Sequence, residues 1–286
     1  MRTSSMAFVN SSSNGWLAQL KLTLKQQQGR TVLARRSHFG PLAVQRPFYP
    51  ETDGTCHIYI LHPPGGVVGG DELCIETHID RDAKCLVTTP GATKLYRSNG
   101  DTALITNILT VAERGTLEWM PQEAIAFDGS RSVTTTDVHL QSGAEFCGWD
   151  IVCLGRAAAG EAFLNGSYRQ SFRIWRDHRP LAIESNALEG GSKPLTANWG
   201  LSGYSVSGTF LFVTREDAQS LPSLRERAEN RYSDCRFGIT HMREVIVARY
   251  LGNSAEQAKA LFTDVWSLLR KEVYRRFAVR PRIWDT

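Results

Sequence analysis

Apolar and polar side chains alternate with a period of two along most of this chain, and that period suits strands rather than helices. Leu20, Leu22 and Leu24 face one way, with Lys21, Thr23 and Lys25 opposite. Leu73, Ile75, Thr77 and Ile79 alternate with Cys74, Glu76, His78 and Asp80. Leu104, Thr106, Ile108 and Thr110 repeat the spacing, as does Val138-His139-Leu140. Tyr168, Gln170, Phe172 and Ile174 share one face of a further strand, and residues 205–214 are β-branched and aromatic. Turn signals fall between the runs: Asn99-Gly100-Asp101, Arg114-Gly115, Asp128-Gly129, Ser142-Gly143, Asn165-Gly166 and Gly190-Gly191. Short strands at this spacing predict a mainly β protein, whether sandwich, barrel or solenoid. No fixed-period repeat is visible, so periodicity alone does not argue a regular β-helix.

Helical signals come late. Residues 222–230 predict a short helix opened by Pro222. A stronger one follows Gly252-Asn253, where Ser254 fits an N-cap and Gln257 the reciprocal position of a capping box. Leu261, Val265, Leu268, Leu269 and Val273 mark its apolar stripe, which Phe262, Trp266 and Tyr274 widen. Between these helices, residues 238–251 read as one strand centred on Val245-Ile246-Val247. The Ser- and Asn-rich residues 1–14 read as a frayed, disordered tail. No linker or charge run divides the rest, so residues 15–286 read as a single domain.

The net charge of +4 is too small to argue for nucleic acid. The basic C-terminal helix and the group Arg169, Arg173, Trp175 and Arg176 read as solvated faces. No run reaches the length of a membrane span, and residues 1–14 lack the apolar core of a secretory signal. The six cysteines form no Cys-x-x-Cys pair and predict reduced thiols in a cytoplasmic protein. Cys147 and Cys153 are placed to meet across a hairpin as soft ligands, without a third ligand at useful spacing.

The segment Leu61-His62-Pro63-Pro64-Gly65-Gly66-Val67-Val68-Gly69-Gly70-Asp71 is the most tightly controlled stretch of backbone. Two prolines fix φ and four glycines open conformations closed to other residues. No Gly-Lys-Ser/Thr follows, and Asp71 would repel a phosphate, so this is not a phosphate loop. Around it, in order, stand Tyr49-Pro50-Glu51, the run from Thr88 to Ser98, Leu117-Glu118-Trp119-Met120-Pro121-Gln122-Glu123, Phe127-Asp128-Gly129, Gly155-Arg156, Gly160-Glu161-Ala162-Phe163 and Pro180-Leu181-Ala182-Ile183-Glu184. This ordered series, from about Trp16 to about Glu189, resembles the urease accessory protein D family, called H in some bacteria.

The resemblance implies an elongated, irregular β-helix-like architecture with about two C-terminal helices. It also implies a cytoplasmic scaffold without catalytic activity. Such a scaffold binds apo-urease, docks a helical accessory protein, F, that recruits the GTPase G, and conducts nickel through an internal tunnel. Asp71, Thr93, Asp150 and Glu184 match the polar tunnel lining, with His62 and Glu161 behind them. Transient nickel contacts are expected at Asp71 and Glu184, with no tightly bound cofactor. Weak oxygen and imidazole ligands suit a cation in transit, whereas thiolate cages would trap it. Phe262, Trp266, Leu269 and Tyr274 are the expected contacts to the helical partner, with Trp266 at the partner edge.

Enzymatic readings have less to stand on. There is no Gly-x-Ser-x-Gly elbow, His-Glu-x-x-His or P-loop. Glu51, Asp71, Glu123, Asp128, Asp150, Glu161 and Glu184 nevertheless sit inside motif-like segments. Two of them at the right separation would support the alternative, a β-solenoid hydrolase acting on carbohydrate through paired carboxylates.

Overall fold

A computed structural model describes residues 15–285 of the chain, apart from residues 217, 232 and 233. The tail expected over residues 1–14 lies outside the described residues. The fold is mainly β, a solenoid-like coil of strands with few helices.

From Cys56 to Arg176 the chain alternates between two sheets and adds parallel strands to each in turn. In the second sheet, Cys56–Leu61, Lys84–Thr88, Thr116–Met120 and Glu145–Leu154 lie side by side and parallel. In the first, Glu72–Ile79, Ala103–Val111, Arg131–Leu140 and Ser167–Arg176 do the same. A parallel ladder needs a long return path, and here the return is a strand in the opposite sheet rather than a helix. Each turn therefore advances by about thirty residues, the scale of a solenoid repeat. Connecting loops differ between turns, which hides the repeat from sequence.

Antiparallel hairpins close the edges. The first sheet ends in Arg30–Phe39 on one side and Arg179–Glu189 on the other. The second extends through Val206–Val213 to Val245–Gly252 and Arg236–Met242. The single strand expected over residues 238–251 is therefore two. The chain reverses at Arg243, whose φ of 53° makes the turn without the glycine or proline that would have announced it.

One core fills the space between the sheets, including Leu20, Ile75, Leu109, Phe146, Phe172 and Leu211. Inward faces follow the alternation in most strands: Leu20, Leu22 and Leu24 are buried, and so are Tyr168, Phe172 and Ile174. The strand Ala103–Val111 is a correction. Ala103, Asn107, Leu109 and Val111 are buried, and the row Leu104, Thr106, Ile108 and Thr110 faces outward, with Leu104 40% exposed.

A second core lies between the far face of the second sheet and helices Leu221–Arg231 and Ala255–Glu272. Ser254 caps the longer helix, its hydroxyl accepting from the Gln257 backbone N–H. The reciprocal half of the capping box is not made. The Gln257 side chain instead accepts from the Tyr250 hydroxyl and donates to Asp234.

The expected partner edge of this helix is overturned. Phe262, Trp266 and Leu269 are fully buried and Tyr274 nearly so. Phe262 packs on Trp149, Tyr274 stacks on Phe212 at 4.7 Å, and Trp266 meets Trp284 at 6.2 Å. The helix is covered on one side by the sheet and on another by the segment ending in Arg282–Asp285, so its broad stripe is consumed by the core. The six cysteines are free. Cys147 and Cys153 lie six positions apart on one strand, about 20 Å at strand rise, and do not meet.

Arg270, fully buried on the long helix, ties three distant parts of the chain together. Its Nη2 donates to both Glu51 carboxylate oxygens at 2.7–2.8 Å, and its Nε donates to Glu118 Oε1 at 2.8 Å. The buried His57 ring lies 2.8 Å from Glu51 Oε1. Burial pushes the Glu51 carboxyl upward, but the His57 hydrogen bond and Arg270 together hold it below its ordinary value. Removing Arg270 leaves Glu51 with His57 and Glu118 with only the more distant Arg276 guanidinium at 4.0 Å. Arg270→Leu is expected to cost about 3–5 kcal/mol in urea unfolding, because two buried carboxylates lose the guanidinium that bonds them directly. Lys21→Ala, which breaks the exposed pair with Glu76, is expected to cost under about 1 kcal/mol. Equal losses in the two variants would refute the special weight of the buried network.

Candidate interior path

The gap between the sheets is not filled by apolar side chains throughout. A chamber of about 260 Å³ opens there, with Ile60, Leu73, Ile105, Trp119 and Ile151 on its walls. Its polar lining includes His62, Thr93, Asn107, Thr136, Asp150 and Tyr168. The loops carrying His62, Gly65 and Gly66, Thr89 to Gly91, and Pro121 with Gln122 also border it.

The Gly-rich loop is built for close approach. A side chain at Gly66 would run into the Tyr96 ring, and Gly70 takes a φ of 92°. Asp71 holds this loop together. Its carboxylate accepts from the Val68 N–H at 2.9 Å and from the Trp16 N–H at 2.8 Å, and the residue is buried. Asp71 is therefore absent from the chamber lining, contrary to the expectation from sequence. Its charge is felt by His62, where burial lowers the imidazole pKa and Asp71 partly restores it.

Sheet register explains how polar groups form a line through an apolar gap. In the second sheet, Asp150 pairs with Thr209, and Thr209 with Arg249, on three neighbouring strands. Paired residues share a face, and this row points into the gap. In the first sheet, Thr134 pairs with Gln170 and Gln170 with Asn186, while Asn107 pairs with Thr136. Asn107 Nδ2 donates to Thr136 Oγ1 at 3.0 Å, and Asn186 Nδ2 donates to Gln170 Oε1 at 3.2 Å. A smaller polar pocket, lined by Asp150, Tyr168, Gln170, Asn186, Ser207 and Thr209, continues the line beyond the chamber.

Asp150 and Tyr168 line both spaces. The Tyr168 hydroxyl lies 3.5 Å from Asp150 Oδ1. Burial pushes the Asp150 carboxyl up to about 6, and the hydroxyl offsets this only in part. Asp150 keeps some accessible surface, and it opens on the spaces that the residue lines.

The other expected site residues fall elsewhere. Glu161 is paired with Arg156 and accepts from the Asp128 N–H at 2.7 Å, which makes it a loop fastener outside the chamber. Glu184 is also off the chamber lining. It sits at the far edge of the gap, paired with Arg249 of the opposite sheet. Sequence reasoning missed Asn107, Thr136, Tyr168, Gln170, Asn186 and Thr209. Their signal was available as polar residues at inward positions of alternating strands.

Residues 17–285 match the family model described as UreD urease accessory protein. The chain is 41% identical over 274 residues to urease accessory protein UreD 2 of Brucella anthropi, covering 96% of this chain and 100% of that protein. It is 45% identical over 276 residues to urease accessory protein UreD of Alcanivorax borkumensis, covering 95% and 93% of the two chains. A third relative, urease accessory protein UreD of Acinetobacter baumannii, is 37% identical over 284 residues, 98% of each chain.

The raised Asp150 carboxyl has a stability signature of definite sign. Its unfolded value is about 3.9, so ionising it opposes folding. The cost is absent below about pH 4, grows as pH rises toward about 6, and is complete above that. Asp150→Asn removes the charge, so its stability relative to the native chain is expected to rise by about 1–3 kcal/mol at pH 7.5. The advantage shrinks to about a third of that near pH 4.5. Urea unfolding at both values checks this, and an advantage unchanged by pH would contradict it.

Proposed function

The chain belongs to the urease accessory protein UreD family, and we propose that it is a non-enzymatic scaffold in urease maturation that conducts nickel ions through the gap between its sheets. The observation that carries this reading is the polar line centred on Asp150. It begins at His62 and Thr93 beside the loops, passes Asp150 and Tyr168, and continues between Gln170 and Thr209. Asn107 and Thr136, both buried, extend its polar walls. Polar groups at inward strand positions cost stability unless they are satisfied or hydrated, and a route for a hydrated cation gives them a use.

Ligand-type groups along the line stand singly, with His62 near the loops and Asp150 in the middle. An isolated imidazole or carboxylate contacts a divalent cation without enclosing it, which favours transfer over storage. The lowered pKa of His62 keeps its ring neutral and able to accept a cation near neutral pH. A paired-carboxylate hydrolase fits less well. Among the described residues lining the chamber, Asp150 is the one carboxylate, and that mechanism requires two.

The scaffold role carries the proposed partners with it: apo-urease, the helical accessory protein F and the GTPase G. With Phe262, Trp266, Leu269 and Tyr274 in the core, the surface that supports helical docking is the groove between the two helices. Leu224, Leu268 and Ala278 line it, beside Phe277, which is 75% exposed.

Co-expression with urease and its accessory proteins tests the reading. Asp150→Leu and Thr93→Leu narrow the chamber and remove polar contacts. Each is expected to lower urease nickel content and activity by tenfold or more, roughly the loss of one good contact in the transfer barrier. Recovery of the assembled complex stays unchanged. Normal nickel content in the double variant removes these residues from the path, and loss of the complex makes them structural.

A further inference from the structure

Glu184 and Arg249 are 65 residues apart and belong to different sheets, yet Arg249 Nη2 donates to Glu184 Oε1 across the open side of the gap. Register places Arg249 at the end of the polar row, while Glu184 is opposite the buried Phe172, where the polar line borders the apolar core. Arg249 is opposite Thr209, which is opposite Asp150, so three polar residues occupy successive strands on one face. On the facing sheet, Gln170 is opposite Asn186, and Glu184 lies two positions before Asn186 on the edge strand Arg179–Glu189. Between Asp150 and the edge lies the small pocket of about 10 Å³, room for about one water.

We propose that Arg249 is the latch at this end of the line, the residue that a passing cation must displace from Glu184. This rests on the path reading above and adds the control of its far end. The guanidinium already holds the Glu184 carboxylate, the first acidic group beyond Asn186 and Thr209 of the small pocket that a divalent cation could use. Guanidinium and metal ion compete for one carboxylate. While the pair is closed, the positive charge of Arg249 repels a second cation at short range. Opening is easy because the side chains of Arg249 and Glu184 are 50% and 21% exposed, and ion pairs of such exposure are weak. Arg249 then swings into water, and Glu184 becomes the last oxygen ligand before the surface. The latch also accounts for a cation placed beside a route for cations, which would otherwise obstruct it.

Calorimetric titration of the full chain with Ni²⁺ alone, as its chloride in a non-chelating buffer, tests the competition. Arg249→Gln is expected to tighten the Glu184-dependent binding by about two- to fivefold, the factor matching the strength of a half-exposed ion pair. Glu184→Gln and the double variant are expected to lack that binding. Arg249→Lys, which keeps the charge, stays within twofold of the native chain. Unchanged or weaker binding in Arg249→Gln overturns the latch, as does a gain that survives in the double variant. Unfolding of Arg249→Gln, seen in its melting curve, would make the pair structural and overturn it equally. The path itself is judged separately by Asp150→Leu. A block there with no change in Arg249→Gln leaves the path standing and removes only the latch.

Discussion

A single guanidinium holds the two halves of this architecture in relation to one another. Arg270 comes from the last helix, Glu118 from the middle of the second sheet and Glu51 from the loop before it. Apolar packing presses the helix onto the sheet but leaves it free to slide, since one leucine contact resembles the next. Directional bonds to two carboxylates remove that freedom. The position of the helix also fixes Trp266 and the indole of Trp284, whose Nε1 donates to Thr88 Oγ1. Thr88 Oγ1 bonds in turn to the Met120 carbonyl, next to the loops bordering the chamber. The buried charge network is thus continuous with the walls of the interior space. Lys259, one face of the same helix, reaches Gln122 and Glu123 on those loops.

The gap between the sheets sets an opposite requirement. A two-sheet core gains stability from dry, interdigitated side chains, and the Phe146, Phe172 and Leu211 end of the gap follows that rule. The Asp150 end departs from it. There the register lines up Asp150 with Thr209, and Gln170 with Asn186. Each is a poor choice for a core alone. Their alignment across neighbouring strands turns separate liabilities into one continuous polar seam. The apolar end and the Arg270 network supply the rigidity that lets the seam stay open.

Much of the architecture was legible in sequence because strand alternation reports a local property, the burial of one face. The choice of face is not local, and Ala103–Val111 shows why. Leu104 and Ile108 are larger than Ala103 and Asn107, so size pointed outward while the neighbours Ser132 and Thr136 set the true inside. The broad stripe of the last helix was visible, but its second cover, the Trp284 segment, was distant in sequence. Arg243 turned a hairpin with no residue that advertises a turn. For the site, His62, Thr93 and Asp150 fell on the chamber, and Asp71, Glu161 and Glu184 did not. A carboxylate in a motif reads alike whether it faces a cavity or ties backbone N–H groups, and only the fold separates the two uses.

The two sheets contribute facing walls, and among the described residues no backbone ladder crosses the gap at the Asp150 seam; side chains such as Glu184 and Arg249 span it. Mechanically, the seam resembles a slot between two plates more than a bore drilled through one. A slot widens when the plates tilt or shear by a fraction of an ångström, and each sheet keeps every hydrogen bond of its own ladder while it does so. Its clearance is therefore a soft coordinate in an otherwise stiff molecule. Anything that grips both sheets along their open side acts on that clearance directly, with no need to refold a strand.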